Sequence, residues 1–193
     1  MEKTVEVKVE DIMRAFDEAN DNGKRSILKL FPKFNEFISV TDRVKTFDDA
    51  CRELGGGHPY VLAYNNTNLS DTDVADGNID AIAYLKLRII TAALNNGWSP
   101  QFAPGERRYF PYFRLYSSEE IRQMSEEEKS RVVCRSYSYA HANGGVSYAY
   151  AVYDSAVVSA NIGSRLAFKT SELAEYAGRQ FATLYAEYLL NTK

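Results

Sequence analysis

The residues that most often carry out catalysis or bind metals are few in this chain, and their spacing matches none of the motifs of those chemistries. His58 and His141, the two histidines, are not spaced with cysteines or carboxylates as a metal site requires. Cys51 falls within an apolar helical stripe, where a thiol behaves as a small hydrophobic side chain. No G-x-S-x-G motif marks a nucleophile elbow, although the members of a Ser-His-Asp triad need not be close in sequence. The sequence therefore predicts a protein without enzyme activity, bound metal or cofactor.

An acidic segment with Asp71, Asp73 and Asp76 has the composition of a cation-binding loop but not its spacing. An EF-hand loop needs its third acid one residue earlier and a bidentate glutamate at its twelfth position, which is Ile82 here. The three glycines at 55–57 follow a predicted helix and lack the Lys-Ser/Thr of a phosphate-binding loop. We therefore predict a solvated loop for the acidic segment and a helix end for the glycines.

The most informative segment is residues 134–153, CRSYSYAHANGGVSYAYAVY, in which aromatic and small residues alternate around an Asn-Gly-Gly turn signal. A two-residue type I′ turn at Asn143 and Gly144 predicts a β-hairpin. The predicted register forms two cross-strand tyrosine pairs and puts all four rings on one face. The pairs are Tyr139 with Tyr148, and Tyr137 with Tyr150.

Three roles for this tyrosine face stay open, namely part of the core, a protein interface, or the wall of a small-ligand site. Cross-strand aromatic pairs stabilise a hairpin by about 0.2 to 1 kcal/mol each, so stability alone accounts for them. A purely internal layer more often uses Val, Ile and Phe, whereas phenol-rich faces are common at interfaces. We therefore predict a protein interface, whose partner is another protein or a second copy of the chain.

Residues 107–114, RRYFPYFR, interleave basic and aromatic side chains on a predicted strand, as a stacking platform for single-stranded nucleic acid does. The candidate contacts are Arg107, Arg108, Tyr109, Tyr112 and Arg114. The glutamates at 119–120 and 126–128 would oppose a phosphate backbone if they share that face. The other interpretation is a half-buried strand whose arginines cover the rings. Nucleic-acid binding is therefore the alternative function.

Hydrophobic periodicity predicts the helices that must position these segments. Residues 79–94 are apolar around most of the helix circumference, which is typical of a central buried helix. A narrow polar line remains on it, formed by Asp80, Arg88, Thr91 and Asn95. A final amphipathic helix over 171–190 begins at the N-cap Thr170.

Capping signals predict further helix starts. Thr46 with Asp49, Ser117 with Glu120, and Ser125 with Glu128 each have the spacing of a capping box. Near the N terminus, a helix over 10–19 ends at Asn22-Gly23, and a second helix over 24–30 is cut short by Pro32. This outline favours an ordinary helical hairpin over a DNA-reading helix-turn-helix.

These elements predict an α+β fold in one domain, residues 1–193, with an N-terminal helical cap. The antiparallel sheet contains 107–116 and the tyrosine hairpin, with 164–169 as a candidate additional strand, and it packs against the two long helices. The predicted subregions are a helical segment 1–57, a loop 58–78, and the main core 79–193.

Composition limits the partners and the setting. The 193 residues are 45% hydrophobic with a formal net charge of -3, which gives no global attraction to nucleic acid or anionic membrane. No apolar run approaches the roughly 20 residues of a membrane span, and the first residues are charged without an apolar signal segment. Two cysteines are too few for a disulfide framework. We expect a soluble protein of a reducing, cytoplasmic setting, without a membrane partner.

Several motifs of the C-terminal half recur together, namely AYLKLRIITAALNNGWSPQF, RRYFPYFRLYSSEEI, MSEEEKSRVV, SYAHANGG and GSRLAFKTSELAEYAGRQFATLYAEYLL. Over residues 83–190 this set resembles a protein family found in phages and prophages of gut anaerobes. The resemblance implies a phage-associated role, in the virion or in the cytoplasm of an infected or lysogenic bacterium, and it brings no catalytic or binding residues.

We therefore expect a non-enzymatic structural or interaction protein that acts through its tyrosine-rich sheet face. The alternatives are a nucleic-acid-binding accessory protein that uses the strand 107–114, or a protein that sequesters a small ligand.

Overall fold

The computed structural model describes residues 5–67, 79–134, 144–156 and 164–190. The fold is α+β, as the sequence predicts, with a two-stranded antiparallel sheet packed against helices. Contacts divide the chain into two compact units, Met1–Arg43 and Val44–Lys193. The helical subregion predicted for 1–57 is thus divided after Arg43, because the helix that follows packs onto the central helix of the second unit.

The first unit is a small helical cluster. Its elements are α1 (Val9–Glu18), α2 (Asp21–Leu30), a 3₁₀ helix (Pro32–Phe37) and α3 (Val40–Arg43). Ile12 and Phe16 lie one turn apart on α1 and are buried together with Phe34. The rings of Phe16 and Phe34 meet edge to face with their centroids 5.8 Å apart.

The predicted end of the first helix at Asn22-Gly23 is wrong, because both residues lie inside α2. The signal that decides is Asn20, whose side-chain oxygen accepts a hydrogen bond from the Gly23 backbone N–H at 2.9 Å. This N-cap starts α2 earlier than the apolar pattern indicates. Pro32 does end α2, as predicted, and opens the 3₁₀ helix.

Within the described residues, the second unit contains the other helices and two strands. They are α4 (Phe47–Leu54), α5 (Pro59–Asn65), α6 (Ile79–Asn95), β1 (Arg108–Tyr116), α7 (Ser118–Gln123), α8 (Glu126–Lys129), β2 (Gly145–Asp154), α9 (Ser171–Gln180) and α10 (Ala182–Leu189). The three predicted capping boxes at the starts of α4, α7 and α8 are confirmed. Helix α5 lies where a loop was predicted, and it starts because His58 Nδ1 accepts from the Tyr60 N–H and Pro59 fits the first helical position.

Helix α6 is the centre of the second unit, and the predicted buried helix is confirmed. Leu87, Ile89, Ile90 and Leu94 are fully buried, and both α4 and α10 pack against the helix. At its C-terminal end Asn95 is also buried, and its amide donates to the Ala167 carbonyl at 2.8 Å. The same side chain accepts from the Lys169 N–H at 3.0 Å, so α6 is tied to the segment that leads into α9.

Strands β1 and β2 pair antiparallel from Arg108 opposite Asp154 to Tyr116 opposite Gly145. The sheet edges are extended by single bridges, in which Tyr109 pairs with Phe168 and Val133 pairs with Val146. The strand predicted at 164–169 is thus reduced to one paired residue. The first arm of the predicted tyrosine hairpin lies outside the described residues.

The single helix predicted for 171–190 is interrupted at Phe181, whose φ of -112° and ψ of 27° leave the helical region. Helix α9 packs mainly on the sheet, whereas α10 packs mainly on α6. The two halves of the predicted helix therefore have different packing partners. The buried Phe181 ring lies beside the Tyr176 ring, with centroids 6.5 Å apart. Tertiary packing therefore overrides a continuous helical pattern.

For a buried tyrosine, Tyr185, and a half-buried one, Tyr176, we predict opposite effects of the same substitution. The Tyr185 hydroxyl has no hydrogen-bond partner among the described residues, whereas the Tyr176 hydroxyl donates to the Val44 carbonyl at 2.8 Å. We expect Tyr185→Phe to stabilise the protein by about 1 kcal/mol and Tyr176→Phe to destabilise it by about 1 kcal/mol. Urea denaturation measures both changes. Equal losses of stability would contradict the unpaired state of the Tyr185 hydroxyl.

The capping box of α4 predicts a loss of stability in acid. Burial acts to raise the pKa of Asp49, but hydrogen bonds from the side chain and backbone of Thr46 outweigh it and lower the pKa below its ordinary 3.8. A carboxyl with a depressed folded pKa stabilises the protein above its unfolded pKa and loses that effect as the pH falls through the folded pKa. We expect Asp49→Asn to lower the free energy of unfolding at neutral pH by about 1 kcal/mol. Its disadvantage should shrink as the pH falls below 3.8 and through the still lower folded pKa of Asp49, as thermal melts across pH would show.

Candidate functional site

The two faces of the β1–β2 sheet differ in their surroundings, and the aromatic side chains are distributed over both. Along β1, Tyr112, Arg114 and Tyr116 alternate with residues of the opposite face and so share one side. We call the surface formed by Tyr112, Arg114, Tyr116, Ser147 and Tyr150 the outer sheet face. Residues on the other side of the same strands contact α9 and α10.

On the outer sheet face, two tyrosines from neighbouring strands stack in the open. The rings of Tyr112 and Tyr150 are 5.8 Å apart with 14° between their planes. The two side chains stay 43% and 58% exposed, respectively, so their pairing leaves ring surface for a partner. The Arg114 guanidinium lies 4.8 Å from the centre of the Tyr116 ring, and the Tyr116 hydroxyl is 3.2 Å from Ser147 Oγ.

The opposite face contributes a half-buried tyrosine that packs against α9. Tyr148 contacts Phe113 edge to face at a centroid distance of 6.2 Å, and the Arg179 guanidinium lies 4.6 Å from its ring centre. Phe113 in turn packs against Tyr185 at 5.0 Å. Burial, and then the nearby Glu175 carboxylate, raises the pKa of Tyr148, which therefore stays protonated at neutral pH. This ring acts in packing.

The prediction that Tyr148 and Tyr150 share a face is wrong, and a β-bulge is the reason. Tyr112 pairs with Tyr150 while Phe113, the next residue, pairs with Tyr148. Ala149 is therefore an extra residue on β2, which reverses the alternation of side chains between the two tyrosines. The other two predicted interface residues, Tyr137 and Tyr139, lie outside the described residues.

The five candidate contacts for nucleic acid do not form one surface. Tyr112 and Arg114 lie on the outer sheet face, whereas Arg108 is only 2% exposed and donates to the Ser155 carbonyl at 2.6 Å. Tyr109 pairs with Tyr153 on the opposite side of the sheet, where the Arg107 guanidinium covers the Tyr153 ring at 4.6 Å. A phosphate backbone cannot contact all of these residues along one path.

An acid lies close to the basic residue of the outer sheet face. The pKa of the Glu120 carboxyl is lowered chiefly by hydrogen bonds from the backbone and side chain of Ser117, and further by the charge of Arg114. Both signs of charge are therefore present where the start of α7 lies near Arg114 of the outer sheet face. Such a mixed patch suits a protein surface better than a polyanion.

The described residues form no recognisable catalytic or metal centre. No group of three or more His, Cys, Asp or Glu side chains within them is placed to hold a metal ion. Burial raises the pKa values of the Cys51 and Cys134 thiols, which disfavours the reactive thiolate. The candidate cation ligands at 71–76 and His141 lie outside the part of the chain that the structure describes. None of the described helices is both long and apolar enough to cross a bilayer.

Comparison of the chain with protein-family models, curated proteins and solved structures found no match.

Sequence reasoning missed that Tyr112 is the partner of Tyr150, and it gave no role to Tyr153. A strand has two edges, and a local turn signal indicates only the pairing of adjacent segments. One signal for this pairing was available in the sequence. The predicted strand 107–116 had no assigned partner, and its spacing of aromatic residues matches that of β2. Tyrosines at 109 and 112 lie opposite those at 153 and 150.

The close approach of α9 to the sheet predicts a steric requirement for glycine. A Cβ atom on Gly178 would lie 2.5 Å from Tyr148 Cδ2 and 2.8 Å from Pro111 Cβ. Alanine gains up to about 1 kcal/mol of helix propensity, but overpacking costs about 1 to 3 kcal/mol, so we expect Gly178→Ala to destabilise the protein. Chemical denaturation measures the loss. The penalty should shrink in a Tyr148→Ala background, and an unchanged penalty there would contradict the contact.

Proposed function

We propose that this chain is a non-enzymatic interaction protein that associates with a second copy of itself through the outer sheet face. The observation that carries the proposal is the exposed stacked pair of Tyr112 and Tyr150. Tyrosine and arginine are enriched in the energetically dominant positions of protein interfaces. A stacked pair held by two strands also loses little side-chain freedom on binding.

The distribution of charge supports a second copy as the partner. A two-fold axis brings the same patch of both copies together, so each residue pair across the interface occurs twice. Arg114 of one copy can then meet Glu120 of the other, since Arg114 belongs to the outer sheet face and Glu120 lies near enough to Arg114 to feel its charge. Like-charge contacts across the axis are thereby avoided.

Nucleic-acid binding through residues 107–114 is the less favoured alternative. Its support is the Arg–aromatic stacking of Arg114 on Tyr116 and of Arg107 on Tyr153. The burial of Arg108 and the position of Glu120 beside Arg114 oppose it.

The setting we propose follows from the resemblance of residues 83–190 to phage and prophage proteins. Within it the protein acts as a virion component or as an accessory protein in an infected or lysogenic bacterium. Self-association through a sheet face is compatible with either role.

We expect Tyr150→Ser to weaken a homodimer by about 2 kcal/mol, or about 30-fold in the dissociation constant, because it removes half of the stacked pair. Size-exclusion chromatography with light scattering and sedimentation equilibrium measure the change. Tyr153→Ser is the matched control, since Tyr153 is 51% exposed on the same strand but on the opposite face. A wild type that stays monomeric, or equal effects of both variants, would show that the outer sheet face is not the dimer interface.

The same samples test the alternative by fluorescence anisotropy with labelled single-stranded DNA at increasing salt. We expect no binding that falls steeply with salt concentration. A steep dependence that Arg114→Gln reduces would favour the nucleic-acid function over the proposed one.

A further inference from the structure

A cleft of about 400 Å³ lies away from the sheet, between the end of α6 and the segments that pack against it. Its walls come from the α4–α5 junction, from α6, from the connector that leads to β1, and from the segment before α9. The residues that matter for its chemistry are His58, Tyr60, Thr91, Trp98, Ser164 and Arg165. The volume falls within the range of about 300 to 1,000 Å³ that is usual for small-ligand sites.

Two hydroxyl groups of the cleft have no hydrogen-bond partner within the part of the chain that the structure describes. Thr91 is 3% exposed, and neither its Oγ1 nor the buried Oγ of Ser164 has a partner among the described residues. A threonine in a helix often bonds to a carbonyl of the preceding turn, but Thr91 does not. Asn95, its neighbour on the polar line of α6, is by contrast fully engaged in structural hydrogen bonds. An unpaired buried hydroxyl costs free energy unless a ligand completes it.

The remaining lining determines the class of ligand. His58, Tyr60 and Trp98 supply aromatic surface, and His58 Nδ1 is occupied as the acceptor of the Tyr60 N–H, so neutral His58 carries its hydrogen on Nε2. Arg165 is exposed and is the only charged residue of the described lining, which contains no carboxylate. The cleft therefore suits a ligand with a flat ring, hydrogen-bonding groups and one anionic group.

We propose that this cleft binds a mononucleotide. The base lies against the aromatic wall, Thr91 and Ser164 bond to the polar atoms of the base or sugar, and Arg165 pairs with the phosphate. This site is separate from the outer sheet face, and binding here needs no second copy of the chain.

Trp98 is the only tryptophan of the protein and lines the cleft, so its fluorescence reports on this site directly. The 193-residue protein is titrated with AMP, GMP, CMP and UMP, and in parallel with adenosine and with inorganic phosphate. Free N-acetyltryptophanamide corrects for light absorbed by the nucleotides. We expect a saturable change with at least one monophosphate at a dissociation constant below about 1 mM.

Two variants separate the roles of the hydroxyl and the cation. Thr91→Val keeps the side-chain shape and should weaken binding about 5-fold, while the variant melts at or above the temperature of the wild type because it loses an unpaired hydroxyl. Arg165→Gln should weaken the monophosphate about 10-fold or more and leave adenosine binding unchanged. Arg122→Gln is the control, since Arg122 is an exposed arginine of α7 outside the cleft.

Absence of a saturable change with all four monophosphates overturns the proposal. So does binding that Thr91→Val and Arg165→Gln leave as strong as in the wild type. Thermal melts of each variant establish that it is folded, so that loss of binding is attributed to the cleft.

Discussion

The antiparallel pairing of β1 with β2, with one extra residue at Ala149, is the constraint on which the rest of the second unit depends. The bulge turns Tyr148 towards the helices and Tyr150 away from them. In a regular strand, residues two apart lie on one face, so either the core would lose Tyr148 or the outer sheet face would lose its stacked pair. A single inserted residue therefore provides both a packed face and an exposed aromatic face.

The inward face is connected to the central helix through a short segment, residues 167–169. Phe168 bridges to Tyr109 at the edge of β1, while the backbone groups of its two neighbours bond to Asn95 at the end of α6. The chain then enters α9, which lies close enough to the sheet to require Gly178. Sheet, α6 and α9 are thus held by directional hydrogen bonds in addition to apolar burial, and the cleft beside Thr91 is bounded by the same segment.

The sequence predicted the candidate site only in part, since it singled out Tyr148 and Tyr150 but assigned them a common face and a local partner. The partner of Tyr150 is Tyr112, which lies on a strand far earlier in the chain. A turn signal predicts only the pairing of neighbouring segments. The alternation of residue types along a strand shows neither where a β-bulge lies nor which strand pairs at each edge. The same reason explains why Arg108 was predicted as a nucleic-acid contact. It belongs to a basic-aromatic pattern in the sequence, but in the structure it is buried and bonded to a backbone carbonyl far along the chain.

The sequence by itself determined four of the helix starts and the central helix. Thr46, Ser117, Ser125 and Thr170 cap helices within three residues of themselves, and the apolar circumference of α6 is a property of one continuous segment. Tertiary structure alone decided the partner of β2, the break at Phe181 and the unpaired hydroxyl of Thr91. Local hydrogen bonds and helical periodicity are complete within a few residues, whereas strand pairing, packing direction and the satisfaction of buried polar groups depend on residues that only folding brings together.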